Sequence, residues 1–267
     1  MISVIMGVYN QRNEVELERA VESILKQSIS DLEFLIYDDG SDEKEATYLK
    51  KLVQKDTRIR LVRGEQNKGL AYALNQCLEQ ASGTYIARMD ADDISEPTRL
   101  AKQKQFLEEH TEYAFVGCGA KLFDEQGVWG QRTMVQKPIA NDFLPYSPYI
   151  HPSVMFRKSV LEKAGGYNTS KDTRRCEDYE LFMRLYCMGY QGYNLKEYLF
   201  WYQENRTWYD KRTIRQRWAE LKIRYRGFRS MGILNGKTVL YVGKPILLLF
   251  LPKRICNRIR KQYKKQK

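Results

Sequence analysis

The sequence predicts an α/β domain with a mostly parallel sheet and flanking helices, because strand-like and helix-like segments alternate along its first half. Residues 2–8 form an apolar run that is typical of strands buried on both faces. A helix follows, since Leu17, Val21, Ile24 and Leu25 recur at helical spacing. The alternation continues with strands predicted at 34–37, 59–62 and 85–89, and with helices predicted at 44–54 and after 67–69.

The pattern changes after Pro97, where strands and helices no longer alternate regularly. A loop with four prolines, Pro138, Pro145, Pro148 and Pro152, separates two strand-like segments. The predicted elements are a helix at 98–110, strands at 114–123 and 153–157, and a helix at 176–188. We therefore divide residues 1–210 into two halves, 1–93 and 94–210.

The composition indicates a folded protein. The chain has 267 residues, of which 43% are hydrophobic and 12% aromatic, which excludes a disordered or collagenous chain. Five cysteines form no CxxC pair, so a zinc ribbon is excluded and reduced cytosolic thiols are expected. The first residues lack the basic start of a secretion signal. The longest apolar run, 239–251, is shorter than the roughly 20 residues of a membrane span, so no span is expected.

The positive charge is concentrated toward the C-terminal end. From residue 211 onward there are 18 Lys and Arg and one acid, so this segment carries +17 and the first 210 residues carry −5. The neighbouring apolar segment ILLLFLP favours an anionic membrane surface as the partner of this basic tail. Nucleic acid is not expected, because no recognition motif is present. A solvated basic helix is the alternative, and Trp218, Leu221 and Tyr225 lie at the spacing of a helix that packs back on the body.

Polar residues follow three of the predicted strands. Tyr9 and Asn10 end the first strand, Asp38 and Asp39 end the second, and Asp-Ala-Asp-Asp at 90–93 ends the strand 85–89. Ligands of open α/β sheets bind at the carboxyl ends of the strands. Clustered acids repel one another, so a hard divalent metal with oxygen ligands is their natural partner. Turn formation and helix capping are the alternative explanation for each pair taken alone.

Seven short motifs occur along the chain in a fixed order. They are SVIMGVYN, FLIYDDGS, NKGLAYALNQ, GTYIARMDADD, HPSVMFRK, GGY and CEDYELFMRL. Together they resemble the family-2 glycosyltransferases, which have the GT-A fold, and the overall pattern is similar to bacterial members that build surface polysaccharides. The resemblance covers about residues 1–205. It implies a nucleotide-binding half at 1–93 and an acceptor half at 94–210. The charge and apolar pattern predicts a basic amphipathic helical tail at 211–267.

The resemblance implies a nucleotide site in the first half. The segment from Gly7 to Tyr9 matches residues that frame the base, with Tyr9 a candidate to stack on it. Asp39, or its neighbour Asp38, matches the acid that accepts a hydrogen bond from uracil. Lys68 matches a residue that lies near the nucleotide. The expected donor is therefore a UDP-sugar.

The resemblance also implies a metal ion and a general base. Asp90 and Asp92 match the DxD motif, in which Asp92 would bind Mn²⁺ or Mg²⁺, and Asp90 would face the ribose or donor sugar or join the metal. Asp178 matches the general base, and Glu177 beside it is expected on the donor side. His151 either approaches the donor or the metal, or is a loop histidine bonded to backbone. The metal would neutralise the diphosphate as the bond to the anomeric carbon breaks.

These assignments imply a metal-dependent, inverting glycosyltransferase. It would move a sugar from a nucleotide sugar to a saccharide or lipid-linked acceptor at the inner face of the cell membrane. A sugar-phosphate nucleotidyltransferase is one alternative, although it would carry a Gly-rich basic loop where this chain reads MGVYNQRNE. A non-catalytic protein that kept the fold is the other, although both the DxD and the Glu-Asp positions are filled.

Overall fold

The structure is a computed structural model, and it describes residues 1–206 and 212–250. The strands are β1 (Ile2–Val8), β2 (Leu32–Asp38), β3 (Ile59–Arg63), β4 (Tyr85–Arg88), β5 (Ile94–Ser95), β6 (Phe115–Asp124), β7 (Gly127–Arg132), β8 (Met155–Arg157) and β9 (Gly192–Gln203). The helices are α1 (Glu14–Leu25), α2 (Glu43–Val53), α3 (Leu70–Gln80), α4 (Arg99–Glu109), α5 (Lys158–Lys163), α6 (Glu177–Cys187), α7 (Ile214–Ser230) and α8 (Val239–Phe250). Each element predicted up to residue 188 has a counterpart, with small differences at its ends. β5, β7 and β9 were not predicted.

The strands of the described residues form one sheet in the order β3-β2-β1-β4-β8-β6-β9-β5, with β7 paired to β6. β3, β2, β1 and β4 are parallel neighbours. β8 runs antiparallel to both β4 and β6, while β6 and β9 are parallel. The predicted parallel sheet is therefore confirmed for the first half of the chain, and the second half is mixed.

Apolar side chains cover both faces of the sheet. Strand residues alternate between the two faces, so Val4 joins one core cluster and Ile5 joins the other. The first cluster contains buried residues of α1, α2 and α4, including Leu17 and Leu100. The second contains residues of α3, α5 and α6, including Leu74. The result is a three-layer arrangement that leaves the strand ends open at the edges of the sheet.

Two buried polar side chains hold the irregular loops of the second half. Arg99 donates hydrogen bonds to the backbone oxygens of Arg88 and Pro152, at 3.2 and 3.0 Å. Gln103 donates one to the backbone oxygen of Ser153 at 2.8 Å. Buried carbonyl groups need such partners where no strand supplies them. These bonds therefore fix the turn that precedes β8 against the end of β4.

Helix α7 docks on the body through a buried ion-pair network. Glu220 pairs with Arg212 and with Arg224, the latter at 3.0 Å. Arg224 also donates to the backbone oxygen of Leu144 at 2.9 Å, and its guanidinium lies 5.0 Å from the ring centre of Tyr179. Burial alone would raise the pKa of Glu220, but the two guanidinium groups outweigh burial and lower it. The carboxylate is therefore held in its charged form.

The predicted helix at Trp218, Leu221 and Tyr225 is present, but its main packing face differs. Trp218 and Tyr225 are exposed and Leu221 is only partly buried, whereas Ile223 and Phe228 are buried against the body. The charged network turns the helix by bringing Glu220 and its partners inward. The predicted boundary at 211 and the basic run after 250 lie outside the described residues.

Candidate active site

The carboxyl ends of β1, β2 and β4 lie side by side because these strands are parallel neighbours. Val8 pairs with Asp38, and Ile5 pairs with Arg88. The acids that follow β2 and β4 therefore reach one edge of the sheet, as the sequence predicts. Tyr9 follows β1 at the same edge with 51% of its surface exposed.

Gly7 lies within β1, against helix α3. A Cβ atom at this position would be 3.0 Å from the Cβ of Ala73 and 3.1 Å from Leu70 Cδ1. Because glycine has no side chain, α3 can approach the strand closely. Gly7 thus sets the distance between β1 and the start of α3.

Asp39 holds the segment that leads into α3. Its carboxylate accepts hydrogen bonds from the backbone N–H groups of Lys68, at 3.0 Å, and Gly69, at 2.7 Å. Burial raises the pKa of Asp39, and these two bonds oppose the rise. The Lys68 side chain is exposed, and its Nζ lies 3.3 Å from the hydroxyl oxygen of Tyr72. Asp39 therefore brings Lys68 to the sheet edge through the backbone.

Asp38 stabilises the turn between β2 and α2. It is fully buried, accepts a hydrogen bond from the Ser41 N–H at 2.8 Å, and lies 3.3 Å from Arg63 Nε. Gly40 lies in the turn between Asp38 and Ser41 and has a φ of 74°. A Cβ atom there would lie 2.6 Å from the backbone of Gln66. This close approach and the positive φ together require glycine.

Three aspartates form a cluster where the chain leaves β4. Carboxylate oxygens of Asp90, Asp92 and Asp93 lie within 4.8 Å of one another. Asp93 is buried; it accepts a hydrogen bond from the N–H of Gln203 at 2.7 Å, and its other oxygen is buried without a hydrogen-bond partner. Burial, with repulsion from Asp90, raises the pKa of Asp92 to about 7. Oxygen ligands at this spacing and a bare buried oxygen fit Mg²⁺ or Mn²⁺.

Arg88 lies beneath this cluster and was not predicted as a site residue. It is 1% exposed, its Nη2 lies 2.6 Å from Asp90 Oδ1, and it donates to the backbone oxygen of Met89. Its charge opposes the rise in pKa of Asp92 and also that of Asp178. An arginine within the buried strand YIAR was the available signal, because a buried charge is tolerated only when it is paired.

Glu177 and Asp178 form the first turn of α6, near the positive end of the helix dipole. Burial raises the pKa of both carboxyl groups. One carboxylate oxygen of Glu177, Oε2, is buried without a hydrogen-bond partner. The positive charge of Arg88 opposes the rise in pKa of both this pair and Asp92, and Arg88 itself is paired with Asp90.

His151 lies outside the aspartate cluster. It is buried, its Nε2 is 2.9 Å from the hydroxyl oxygen of Tyr167, and the two groups share a hydrogen bond. Burial, together with the charge of Arg88, holds the pKa of His151 well below its usual range. The imidazole is therefore neutral, and its partner is a tyrosine side chain and not the backbone.

A mixed sheet of this order, with acids at its carboxyl edge and a carboxylate pair at the start of α6, has the GT-A architecture of nucleotide-sugar glycosyltransferases. Glycosyl transferase family 2 matches residues 3–165, which is more than half of the chain. The protein therefore belongs to glycosyl transferase family 2, and the class predicted from its motifs is confirmed.

Relatives with similar sequences span three quarters or more of the chain. A Bacillus subtilis protein named as a glycosyltransferase, EpsE, is 37% identical over 262 residues, covering 98% of this chain and 93% of its own. The O-antigen biosynthesis glycosyltransferase WbnJ of Escherichia coli is 34% identical, covering 76% and 79%. The Escherichia coli UDP-Gal:alpha-D-GlcNAc-diphosphoundecaprenol beta-1,3-galactosyltransferase is 26% identical, covering 94% and 91%.

Solved structures share the fold at low sequence identity. S. aureus TarS, residues 1–349 in complex with UDP, superposes with a TM-score of 0.68 and 17% identity, covering 95% of this chain and 73% of the 1–349 fragment. The mannosyltransferase PcManGT of Pyrobaculum calidifontis, in complex with GDP-Man and Mn²⁺, gives a TM-score of 0.65 and 16% identity, covering 98% and 79%. Both likenesses support the GT-A fold.

We predict that Arg88→Met lowers the free energy of unfolding by about 3–5 kcal/mol at pH 8, because the buried carboxylates lose their counter-charge. The loss should shrink at pH 5.5. In the variant, the buried carboxyl groups have a higher pKa in the folded state than in the unfolded state. Their charged forms therefore destabilise the folded protein at pH values above the unfolded pKa, and this destabilisation becomes smaller at low pH, where the groups are protonated. Urea unfolding at both pH values measures this.

The matched control is Arg60→Met, whose side chain is 48% exposed and lies 3.2 Å from Glu33. It should lose at most about 1 kcal/mol at either pH. An equal loss for Arg88→Met at pH 8 and pH 5.5 would mean that Arg88 contributes packing and not charge.

Proposed function

We propose that the protein transfers a sugar, with inversion, from a UDP-sugar to a lipid-linked saccharide during the synthesis of a bacterial surface polysaccharide. The observation that carries the proposal is that the chain has two separate carboxylate sets, the aspartate cluster that follows β4 and the Glu177–Asp178 pair at the start of α6. The aspartate cluster of β4 is suited to a metal–diphosphate, and the Glu177–Asp178 pair is suited to proton transfer. A single displacement needs these two parts and no covalent nucleophile.

Asp90, Asp92 and Asp93 would hold a divalent metal, Mn²⁺ or Mg²⁺. When bound, such a metal supplies positive charge to a leaving diphosphate. The presence of GDP-Man and Mn²⁺ in the mannosyltransferase with the same fold supports this assignment. His151, neutral and bonded to Tyr167, would line the donor side of the site and is not assigned to the metal.

Asp178 would act as the general base. Its carboxylate takes the proton of an acceptor hydroxyl, the oxygen bonds to the anomeric carbon of the donor, and the bond from that carbon to the diphosphate breaks. A raised pKa suits this role, because a base is most effective when its pKa is near the working pH. The nucleoside diphosphate leaves with the electron pair.

The donor and acceptor are inferred from the site and from the relatives. Tyr9, Asp39 and Lys68 lie at one sheet edge and would bind the base and the nucleotide. The UDP in the TarS complex supports a uridine donor. Relatives named for O-antigen and amylovoran biosynthesis, and for a diphosphoundecaprenol acceptor, support a lipid-linked saccharide in polysaccharide synthesis.

We also propose that the C-terminal helices bring the enzyme to an anionic membrane surface. No helix within 1–206 and 212–250 combines the length and the apolar character that crossing a bilayer requires. On α8, Leu240 is 69% exposed and Leu247, two turns later, is 58% exposed, while Val242 on another face is buried. The segment from 211 onward carries +17, which supports binding to anionic lipid.

We predict that Mn²⁺ affinity falls about tenfold between pH 8 and pH 6, because a carboxyl group with a pKa of about 7 must lose its proton to bind metal. Calorimetry in buffers of different ionisation enthalpy should show proton release. Asp92→Asn should abolish binding, and the exposed-loop control Asp172→Asn should keep both affinity and pH profile. Unchanged Mn²⁺ affinity in Asp92→Asn would overturn the metal assignment.

We predict that Asp178→Asn keeps nucleotide affinity but lowers the transfer rate by about 10²–10⁴-fold, since the substitution keeps the shape and removes the base. The measurement is nucleotide release from a panel of nucleotide sugars with Mn²⁺ and a lipid-linked acceptor. Asp172→Asn again serves as the control. A near-normal rate in Asp178→Asn would move the base to another group, with Glu177 the first to test.

We predict that Leu240→Ser/Leu247→Ser weakens binding to vesicles containing anionic lipid at least about tenfold, because two exposed apolar side chains are lost. The control Val15→Ser/Val135→Ser removes two exposed apolar side chains from the body and should bind as the unchanged protein does. Vesicle flotation measures both. Equal binding by all three proteins would refute the role of α8.

A further inference from the structure

A cavity of about 280 Å³ lies between four parts of the chain. It is bounded by the start of α3, the loop 168–175, the start of α6 and the start of α7. The charged and amide side chains in its wall are Asn67, Lys68, Asn168, Arg174, Arg175, Glu177 and Gln216.

The wall is basic, and no salt bridge within residues 1–206 and 212–250 involves its cations, although the charge of Arg174 opposes the rise in pKa of the nearby Asp39. Lys68, Arg174 and Arg175 come from two separate segments, and none of them forms an ion pair with an acid of the described residues. Glu177 is the only acid in the wall, so the lining carries two excess positive charges. Unpaired cations around a concave site attract an anion of matching charge.

Glu177 adds a second kind of recognition. Its Oε2 is buried without a hydrogen-bond partner, and the residue borders the cavity. A buried bare acceptor is costly until a donor reaches it. Sugar hydroxyl groups are such donors. The wall thus combines cations that can bind phosphate with a hydrogen-bond acceptor, Glu177 Oε2, that can bind a sugar hydroxyl group.

We propose that this cavity binds the sugar-diphosphate headgroup of the lipid-linked acceptor. Arg174 and Arg175 contact the diphosphate, and the first sugar lies toward Glu177, while Lys68 remains a contact of the donor nucleotide. Asp178, the neighbour of Glu177 in the first turn of α6, is the base proposed above. This inference rests on the proposed function and names the part of the acceptor that the enzyme recognises.

The donor's own diphosphate is the other source of this chemistry, and the lining argues against it. None of Asp90, Asp92 or Asp93 borders the cavity, and neither does Tyr9. The donor diphosphate is proposed to lie at the aspartate cluster. Two diphosphates repel each other, so an enzyme that holds both needs a separate set of cations for the second.

Arg175 is held in place by its backbone. Its φ is 66°, which is uncommon for a residue with a side chain, and its carbonyl oxygen accepts a hydrogen bond from Arg212 at 3.1 Å. Asparagine tolerates this conformation, so Arg175→Asn removes the charge with little strain. Arg174→Gln does the same at the neighbouring position.

The experiment is calorimetry of the full-length protein with geranyl diphosphate in EDTA, a probe that is short enough to remain free of vesicles. The unchanged protein should bind it without metal and should bind geranyl monophosphate at least about tenfold more weakly. Arg174→Gln and Arg175→Asn should each lower the affinity for geranyl diphosphate at least about tenfold. Lys171→Gln, in the same loop but outside the wall of the cavity, should leave the affinity for geranyl diphosphate unchanged.

Affinity for UDP with Mn²⁺ should stay within about twofold in both variants, which also shows that they are folded. Displacement of geranyl diphosphate by UDP and Mn²⁺, or an equal loss of UDP affinity, would place the donor in the cavity and overturn the proposal. Binding that neither variant weakens would overturn it as well. Failure of the unchanged protein to bind any nucleotide would refute the proposed function separately.

Discussion

A buried cation, Arg88, is the constraint on which the site depends. It ends a strand of the central sheet, pairs with Asp90 at 2.6 Å, and also influences the pKa values of Glu177 and Asp178. Acids that come from the sheet edge and from a distant helix would otherwise repel one another at low dielectric. Because a guanidinium does not lose its proton in proteins, this counter-charge is permanent. It allows carboxylates to be concentrated at one place without neutralising them by protonation alone.

The two halves of the chain are joined by polar bonds as well as by apolar packing. Arg99 lies on α4, and it reaches the carbonyl oxygens at the end of β4 and in the turn before β8. In the first half, Asp39 plays a similar part by fixing the backbone of Lys68 and Gly69. Buried polar networks of this kind specify one geometry, since each member has few alternative partners. The loops around the site are therefore positioned by the same bonds that hold the fold together.

The sequence was most informative where local pattern determines structure. Alternating strands and helices, and acids at strand ends, follow from side-chain period and parallel register, so the edge with Asp39 and Asp90 was predictable. The strand β9 was not predicted, because charged Lys196 and Glu197 interrupt its apolar pattern. The packing face of α7 was misjudged for a different reason, since its buried side includes Glu220 and two arginines that only tertiary partners explain. The meeting of Lys68 with the loop 168–175 likewise depends on contacts about a hundred residues apart.

The docking of α7 has a consequence for how this enzyme can be recombined with its relatives. Glu220 and Arg224 are buried, and Arg224 bonds a loop of the second half through Leu144. A chimera joined at residue 211 would receive a foreign helix whose charges need not match that loop. Buried charged groups on one side of the contact would then be left unpaired. A join after α7, near Gly232–Gly236, would keep the ion-pair network within a single parent. The segment after the join has fewer contacts to match, namely buried Val242 and the hydrogen bond from Lys244 to the backbone oxygen of Pro145, and the natural unit of exchange is the body together with its first C-terminal helix.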